Sequence, residues 1–436
     1  MHTQRMAIFK WLRIAITFFG LVSCARADTN TAMATTRISL QDAKNLAFLH
    51  NWDLLAACSG VAMADAQRIV TEEFPNPTFG FSTAKINTAN RGNGTPSGND
   101  VWDRSYDNIF AVNQLLEIGK RGPRQDAAKA GLTAARASFA DARRTLDAGM
   151  TKAYVAAVLA EANAKVLDES SGYLRKEAEI AQIQFNAGDK SQSDLDRIEL
   201  AAQQDELNAL SAKAAAIQQR IAVQMLLGER HPTGEWIAND TVEDLANLLP
   251  EPKAKENAKR PDLIAAEATL SQSDANLRLQ KAMRIPDPTL SLQYEHNPPD
   301  MPNTVGIGIT IPLPFWNQNG GAIQAAKEAR DQAERSVEQT KAQIDFDIAT
   351  ARAAYDEALT RWRYYRDKLR PKSATVRQTV FLAYEKGGAS LVDLLEAQRD
   401  DNTIRLAAAQ AAADTATASA ALYSALNKIS CEMEDL

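Results

Sequence analysis

Two hydrophobic rhythms run through the chain. The first has a period of two. Val305, Ile307, Ile309, Ile311 and Leu313 fall on one face, and Thr304, Gly306, Gly308 and Thr310 fall on the other. Leu290, Leu292 and Tyr294 oppose Thr289, Ser291, Gln293 and Glu295 in the same way, and Phe79 and Phe81 oppose Thr78, Gly80 and Ser82. This alternation predicts strands with one apolar face, at residues 78–86, 108–116, 289–297 and 304–313. The second rhythm steps alternately by four and three residues. It runs through Leu146, Met150, Ala153, Ala157, Ala160, Ala164 and Leu167, and again through Ile344, Ile348, Ala351, Tyr355, Ala358, Trp362, Tyr365 and Leu369. Leu207, Leu210, Ala214, Ile217 and Ile221 keep it, as do Ala397, Ile404, Ala408, Ala411, Ala418, Leu422 and Ala425. That is the seam of a coiled coil, and it predicts very long helices. Residues 127–185 contain no proline.

Punctuation marks where these helices turn. Gly188-Asp189-Lys190-Ser191 and Gly387-Gly388-Ala389-Ser390 end two helices and start two more. A glycine just past a helix supplies the left-handed cap. Ser191 or Ser193, and Ser390, suit the caps of the returning helices. Pro371 is expected to kink its helix or to end it.

The pattern is written twice. Phe74-Pro75-Asn76-Pro77-Thr78 returns as Ile285-Pro286-Asp287-Pro288-Thr289, and Ala127-Ala128-Lys129 returns as Ala325-Ala326-Lys327. Phe185 and Gly188 followed by Asp194-Leu195 return as Tyr384 and Gly387 followed by Asp393-Leu394. An insertion in the first copy falls in the Gly/Asn/Ser-rich stretch 87–107, as insertions do in loops. Each copy reads as helix, strand, strand, long helix, turn, long helix. The first spans 28–249. The second spans 250–436, C-terminal segment included.

Composition supports long helices. The chain of 436 residues is 45% hydrophobic yet only 6% aromatic, with 20 Gly and 16 Pro. That is too apolar for disorder and too poor in Gly and Pro for a loop-rich fold. A net charge of −6 argues against a nucleic-acid binder. Residues 1–27 read as a secretory signal: Arg5, Lys10 and Arg13, then an apolar run from Ile14 to Val22, then Ala25-Arg26-Ala27 before Asp28. Leu21-Val22-Ser23-Cys24 also matches a lipobox, with Cys24 as the lipidated residue. Removing the leader takes out four basic and no acidic residues, so the mature chain is more acidic still. Cys58 and Cys431 then remain, paired or free.

Strands of about nine or ten residues suit a tilted crossing of a bilayer. Four strands cannot close a barrel, and an open edge in lipid leaves backbone groups unsatisfied. If these are membrane strands rather than a soluble sheet packed on a core, several copies must share one barrel. The small polar faces of Thr, Ser and Gly favour an open lumen, hence three copies and twelve strands.

The duplicated helix–strand–strand–helix pattern resembles the TolC-type outer membrane channel family over roughly residues 38–427. Ile311-Pro312-Leu313-Pro314-Phe315-Trp316-Asn317-Gln318-Asn319-Gly320-Gly321 resembles the strand-to-helix passage of its heavy-metal branch, which serves cobalt–zinc–cadmium or copper–silver efflux. Arg260-Pro261-Asp262-Leu263, echoed by Asn51-Trp52-Asp53-Leu54, is similar to a motif near the start of each repeat. The resemblance implies a mostly α fold with a small β part. Helical hairpins would build a periplasmic α-barrel, four strands per chain would enter a trimeric outer-membrane β-barrel, and residues 239–252 with the C-terminal segment after Leu426 would add to an equatorial belt. It implies a homotrimer in outer-membrane lipid that meets a periplasmic adaptor (membrane fusion) protein and an inner-membrane pump of the RND type. No enzyme activity and no cofactor are implied.

The resemblance also implies a periplasmic gate. Asp393 and Glu396 match acidic gate positions of an inner helix, Asp194 an acidic tip residue, and Tyr384 an aromatic of the closed state. Ala389 stands where the family can carry a gate arginine. From the residues alone, Asp393 and Glu396 share a helix face. Repeated around an axis they make acidic rings, which select cations. Acids at a helix start are also ordinary caps. Gly188, Gly387 and Gly388 are expected to shape the adaptor-contacting tips. Trp316 suits either a membrane interface or a packed strand–helix junction. His50, His231 and His296 are isolated, so metal binding by the chain itself is not expected. The same channel could instead serve drug efflux or type I protein secretion. A periplasmic helical adaptor is the remaining reading; adaptors usually have one hairpin plus β-domains.

Overall fold

The computed structural model describes residues 37–84, 107–248, 259–297 and 301–428, all in one compact unit. The expected leader 1–27 with Cys24, the stretch 87–106 and Cys431 lie outside the described residues. The elements run β1 (Arg37–Ile38), α1 (Leu40–His50), α2 (Trp52–Glu72), β2 (Thr78–Ala84), β3 (Asp107–Leu115), α3 (Arg121–Asn186) and α4 (Gln192–Leu226). The second half runs β4 (Ile237–Ala238), α5 (Val242–Leu248), α6 (Pro261–Ala282), β5 (Thr289–Asn297), β6 (Met301–Thr310), α7 (Gly320–Tyr364), α8 (Arg370–Glu385) and α9 (Leu391–Ala425). The order α2-β2-β3-α3-α4 is repeated as α6-β5-β6-α7/α8-α9, as the internal duplication requires.

The long helices are where the heptads place them. α3 has 66 residues, about 100 Å at about 1.5 Å per residue. It extends beyond the proline-free stretch 127–185, because Pro123 sits in the first turn, where its missing N–H costs nothing. Its buried line includes Met150, Ala157 and Ala164. In α7, Tyr355, Ala358 and Trp362 are buried at seam positions. α9 is buried on several sides through Ala408, Ala411, Ala412, Ala416 and Ala420, because α3, α5, α7 and α8 all pack on it. Alanine allows that close approach.

Two expectations need correction. The seam expected on α4 does not pack within the chain. Leu207, Leu210 and Ile217 are exposed, while Leu195, Ile198, Ala209, Ala216 and Val223 form the buried face. α4 carries apolar residues on two sides, and the chain covers one. Pro371 does not end its helix. A π turn at Tyr365–Leu369 joins α7 to α8, and the Arg370 N–H reaches back to the Tyr365 carbonyl. The wider turn places Pro371 at the start of α8, where no N–H is needed.

The four-stranded sheet has the order β2-β3-β5-β6, antiparallel throughout. β5 matches its expected bounds. β6 lies at Met301–Thr310, earlier than the expected 304–313, because Pro312 and Pro314 cannot donate to a ladder. The segments around β1 and β4 are tied to α3. β1 pairs with β4. The Tyr154 hydroxyl on α3 donates to the Ile38 carbonyl at 2.7 Å and to Asp240 at 2.8 Å, and Trp236 stacks on its ring. Cys58, on α2, is disulfide-bonded, and its partner lies outside the described residues.

Candidate functional site

Two features set what the molecule can do: the sheet and the hairpin tips. The sheet presents continuous rows. Phe79, Val112, Leu292 and Ile307 are cross-strand neighbours, as are Phe81, Phe110, Tyr294 and Val305. On the opposite face lie Gly80, Ala111, Gln293 and Gly306 in one row and Thr78, Asn113, Ser291 and Gly308 in the next. The apolar face is bare: Phe79 is 70% exposed and Ile307 79%. A soluble sheet would cover such a face with helices. Trp316 is 96% exposed, so it is not a packed residue of the chain's own strand–helix junction. No described helix is long and apolar enough to cross a membrane.

The tips are built twice by the same local rules. α3 and α8 both end in a Schellman motif. Gly188 N–H donates to Phe185 O and Asp189 N–H to Gln184 O; Gly387 N–H donates to Tyr384 O and Gly388 N–H to Ala383 O. Gly188 and Gly387 carry the positive φ of +83° and +74° that this motif needs. Gly388 does not, and a side chain there would meet only ordinary contacts. Ser191, rather than Ser193, caps α4, and Ser390 caps α9. Asp194 and Asp393 sit three residues into these helices, and their carboxylates accept hydrogen bonds from the cap serine hydroxyls. The Ser390 hydroxyl and N–H hold the Asp393 carboxyl below the usual carboxylate range.

The two tips pack on each other. Ala181, Leu195, Ile198 and Leu391 are buried together, with Phe185, Tyr384 and Leu395 against them. Lys190 of the first tip donates to the Tyr384 hydroxyl and lies 4.5 Å from its ring centre. Thus Tyr384 is held by a cation from the other repeat. Asp393 and Glu396 stay exposed on one face of α9. Lys190 was not singled out from the sequence. Its signal was the lone basic residue in a tip turn, opposite a second turn that has Ala389. Glu177 lies half-buried beside this cluster. Burial pushes its carboxyl up, Glu385 adds to the rise, and Lys190 opposes it.

Farther along the helices lies a buried polar layer. Ser170 on α3 donates to Asp205 on α4 at 2.6 Å and accepts from Asn402 on α9 at 2.6 Å. Asp401 accepts from Ser373 at 2.7 Å and pairs with Arg377 at 3.1 Å. This layer joins both hairpins. Among the described residues, no group of three or more His, Cys, Asp or Glu could hold a metal ion. His296 Nδ1 lies 3.3 Å from Asn303 Oδ1.

Comparison with known proteins follows the architecture. The curated cobalt-zinc-cadmium resistance protein CzcC of Cupriavidus metallidurans is 22% identical over 401 residues, covering 90% of this chain and 92% of that protein. The pyoverdine export outer membrane protein OpmQ of Pseudomonas putida is 25% identical over 402 residues, covering 86% and 82%. The crystal structure of CusC, described as forming a transmembrane channel, has the same fold, with a TM-score of 0.71 at 16% identity over 92% of this chain and 95% of that one. The profile of the family described as "Outer membrane efflux protein" matches residues 44–229 and 254–428. With most of its length matched, and with the duplicated hairpins and the bare-faced sheet in place, the chain belongs to the outer membrane efflux protein family, whose members are channels rather than enzymes.

Proposed function

We propose that three copies of this outer-membrane channel protein share one twelve-stranded barrel and form the exit duct of a tripartite efflux system for heavy-metal cations. The carrying observation is the four-stranded sheet with a bare apolar face and two outer strands left open. In lipid that sheet is stable only when other copies close it. The exposed stripe of Leu207, Leu210 and Ile217 on α4 supports lateral packing between helices of neighbouring copies. In this reading Asp393, Glu396, Asp194 and Tyr384 form the periplasmic constriction. The tips at Gly188, Gly387 and Gly388 meet an adaptor that links to an RND-type pump. Cys24 is a candidate lipid anchor. The cargo rests on the CzcC likeness and on the acidity of the chain.

Deleting the gene and measuring tolerance of zinc, cobalt, cadmium, copper and silver tests the cargo. The expected result is lost tolerance of one or more of these ions. Unchanged metal tolerance with impaired export of small organic molecules would move the cargo to the second reading, which the OpmQ likeness favours.

A further inference from the structure

The two repeats pair their strands alike. Thr78 opposes Asn113 in the first, and Thr289 opposes Thr310 in the second. β2 therefore corresponds to β5 and β3 to β6. The junction of β3 with β5, where the repeats meet, has a counterpart that the chain does not make with itself: β6 with β2. These are the outer strands of the sheet, and they run antiparallel to each other.

The β3–β5 junction is thus a template. In it Asn113 opposes Ser291, and Val112 opposes Leu292. At its helical end the Leu116 N–H donates to the Pro288 carbonyl at 2.9 Å. Asp287 accepts from the Ile118 N–H at 2.9 Å and from Lys120 at 2.6 Å. Carried through the repeat, Asn113 becomes Thr310 and Leu116 becomes Leu313. Ser291 becomes Gly80, Pro288 becomes Pro77 and Asp287 becomes Asn76.

We propose that β6 of one copy pairs with β2 of a second copy in this register, with Thr310 opposite the partner's Gly80 and the Leu313 N–H donating to the carbonyl of the partner's Pro77. The proposal rests on the shared-barrel reading and adds the register and the seat of the segment after β6.

Three observations carry it. First, the faces match. Ile309 falls beside the partner's Phe81 and Ile311 beside the partner's Phe79, so both apolar rows continue across the seam. A slip of one residue would set isoleucine against the glycine and threonine face. Second, the prolines fit. Leu115 and Thr289 form a pair whose flanking bond comes from Leu116. The N–H groups of Leu115 and Glu117 therefore point away from β5. Pro312 and Pro314 occupy those positions, and Leu313 carries the only donor between them. Third, a groove of about 500 Å³ beside β2, lined by Phe74, Pro75, Asn76, Leu115, Leu116 and Arg121, lies where the exposed Leu313, Phe315 and Trp316 of the other copy would pass.

Cysteine cross-linking tests the register. The pair opposite each other at a non-hydrogen-bonded position is close enough for a disulfide, and Gly80 has room for a side chain. Gly80→Cys with Thr310→Cys is expected to yield covalent oligomers on non-reducing gels. Thr78→Cys or Ser82→Cys with Thr310→Cys is expected to yield none. If a shifted pair cross-links instead, the register is overturned while the shared barrel stands. If no pair cross-links, the shared barrel falls as well.

Discussion

Ser390 and Asp393 close a reciprocal capping box at the start of α9. The Asp393 N–H donates to Ser390 Oγ at 3.2 Å, and the Ser390 N–H donates to Asp393 Oδ2 at 2.9 Å. Asp393 is therefore both a cap and a gate candidate, and the two roles separate by substitution. Asp393→Asn keeps a cap acceptor but removes the charge, whereas Ser390→Ala removes the cap and keeps the charge. With Glu396→Gln added, Asp393→Asn is expected to lower the cation-over-anion permeability ratio in planar bilayers, and Ser390→Ala to leave it unchanged. An unaltered ratio in the double variant would remove the gate assignment. The lowered carboxyl of Asp393 sets a sign for pH. Its folded pKa lies below the unfolded value, so the stabilisation is present above the unfolded value and lost as pH falls through the folded one.

Glu177 predicts the opposite trend at the same tip. Its folded pKa is raised by burial and by Glu385. As pH rises from mildly acidic to neutral, the tip must hold a charge that its surroundings disfavour, and its stability drops. Hydrogen exchange of the 173–198 segment is expected to speed up over that range. Glu177→Gln should flatten the dependence. A wild-type tip with equal protection at both ends of the range would contradict this account.

Lys44 on α1 and Asp147 on α3 pair at 3.0 Å with side chains 2% and 8% exposed. Removing one partner leaves the other charge buried, which costs about 3–5 kcal/mol. Lys44→Met is expected to lower the midpoint of denaturant unfolding followed by circular dichroism. Lys44→Met with Asp147→Leu should recover much of the loss. Equal loss in both variants would mean that packing, rather than the uncompensated charge, sets the cost.

Cys58 is disulfide-bonded, and Cys24 and Cys431 are its possible partners. Cleavage before Asp28 removes Cys24, and lipidation would consume its thiol. Both processing routes leave Cys431. Non-reducing peptide mapping of the mature protein is expected to find Cys58 joined to Cys431. A Cys24–Cys58 linkage would show instead that the leader is retained.

Much of this fold was legible along the chain because its signals are local. The strand alternation from Thr289 to Glu295 placed β5, and the Gly-x-x-Ser turns placed both tips and the cap at Ser390, while the choice of Ser191 over Ser193 came from the structure. These depend on neighbours a few residues away. Three features were not legible for a common reason. α4 has two apolar stripes, and periodicity alone cannot say which one meets α3. The helix across Pro371 survives through a π turn that depends on the backbone path before it. The partner of Tyr384 is Lys190, which lies in the other repeat and meets it only when the two tips pack.

The order of elements, the duplication and the membrane character of the strands follow from the sequence itself, since heptads, alternation and glycine caps are properties of short segments. Tertiary structure decided the rest. It set the register that aligns Phe79, Val112, Leu292 and Ile307 in one row, chose which helix faces are buried, and brought Lys190 to Tyr384. Those outcomes depend on side chains far apart in the chain competing for the same contacts, and such competition is resolved only when the hairpins pack.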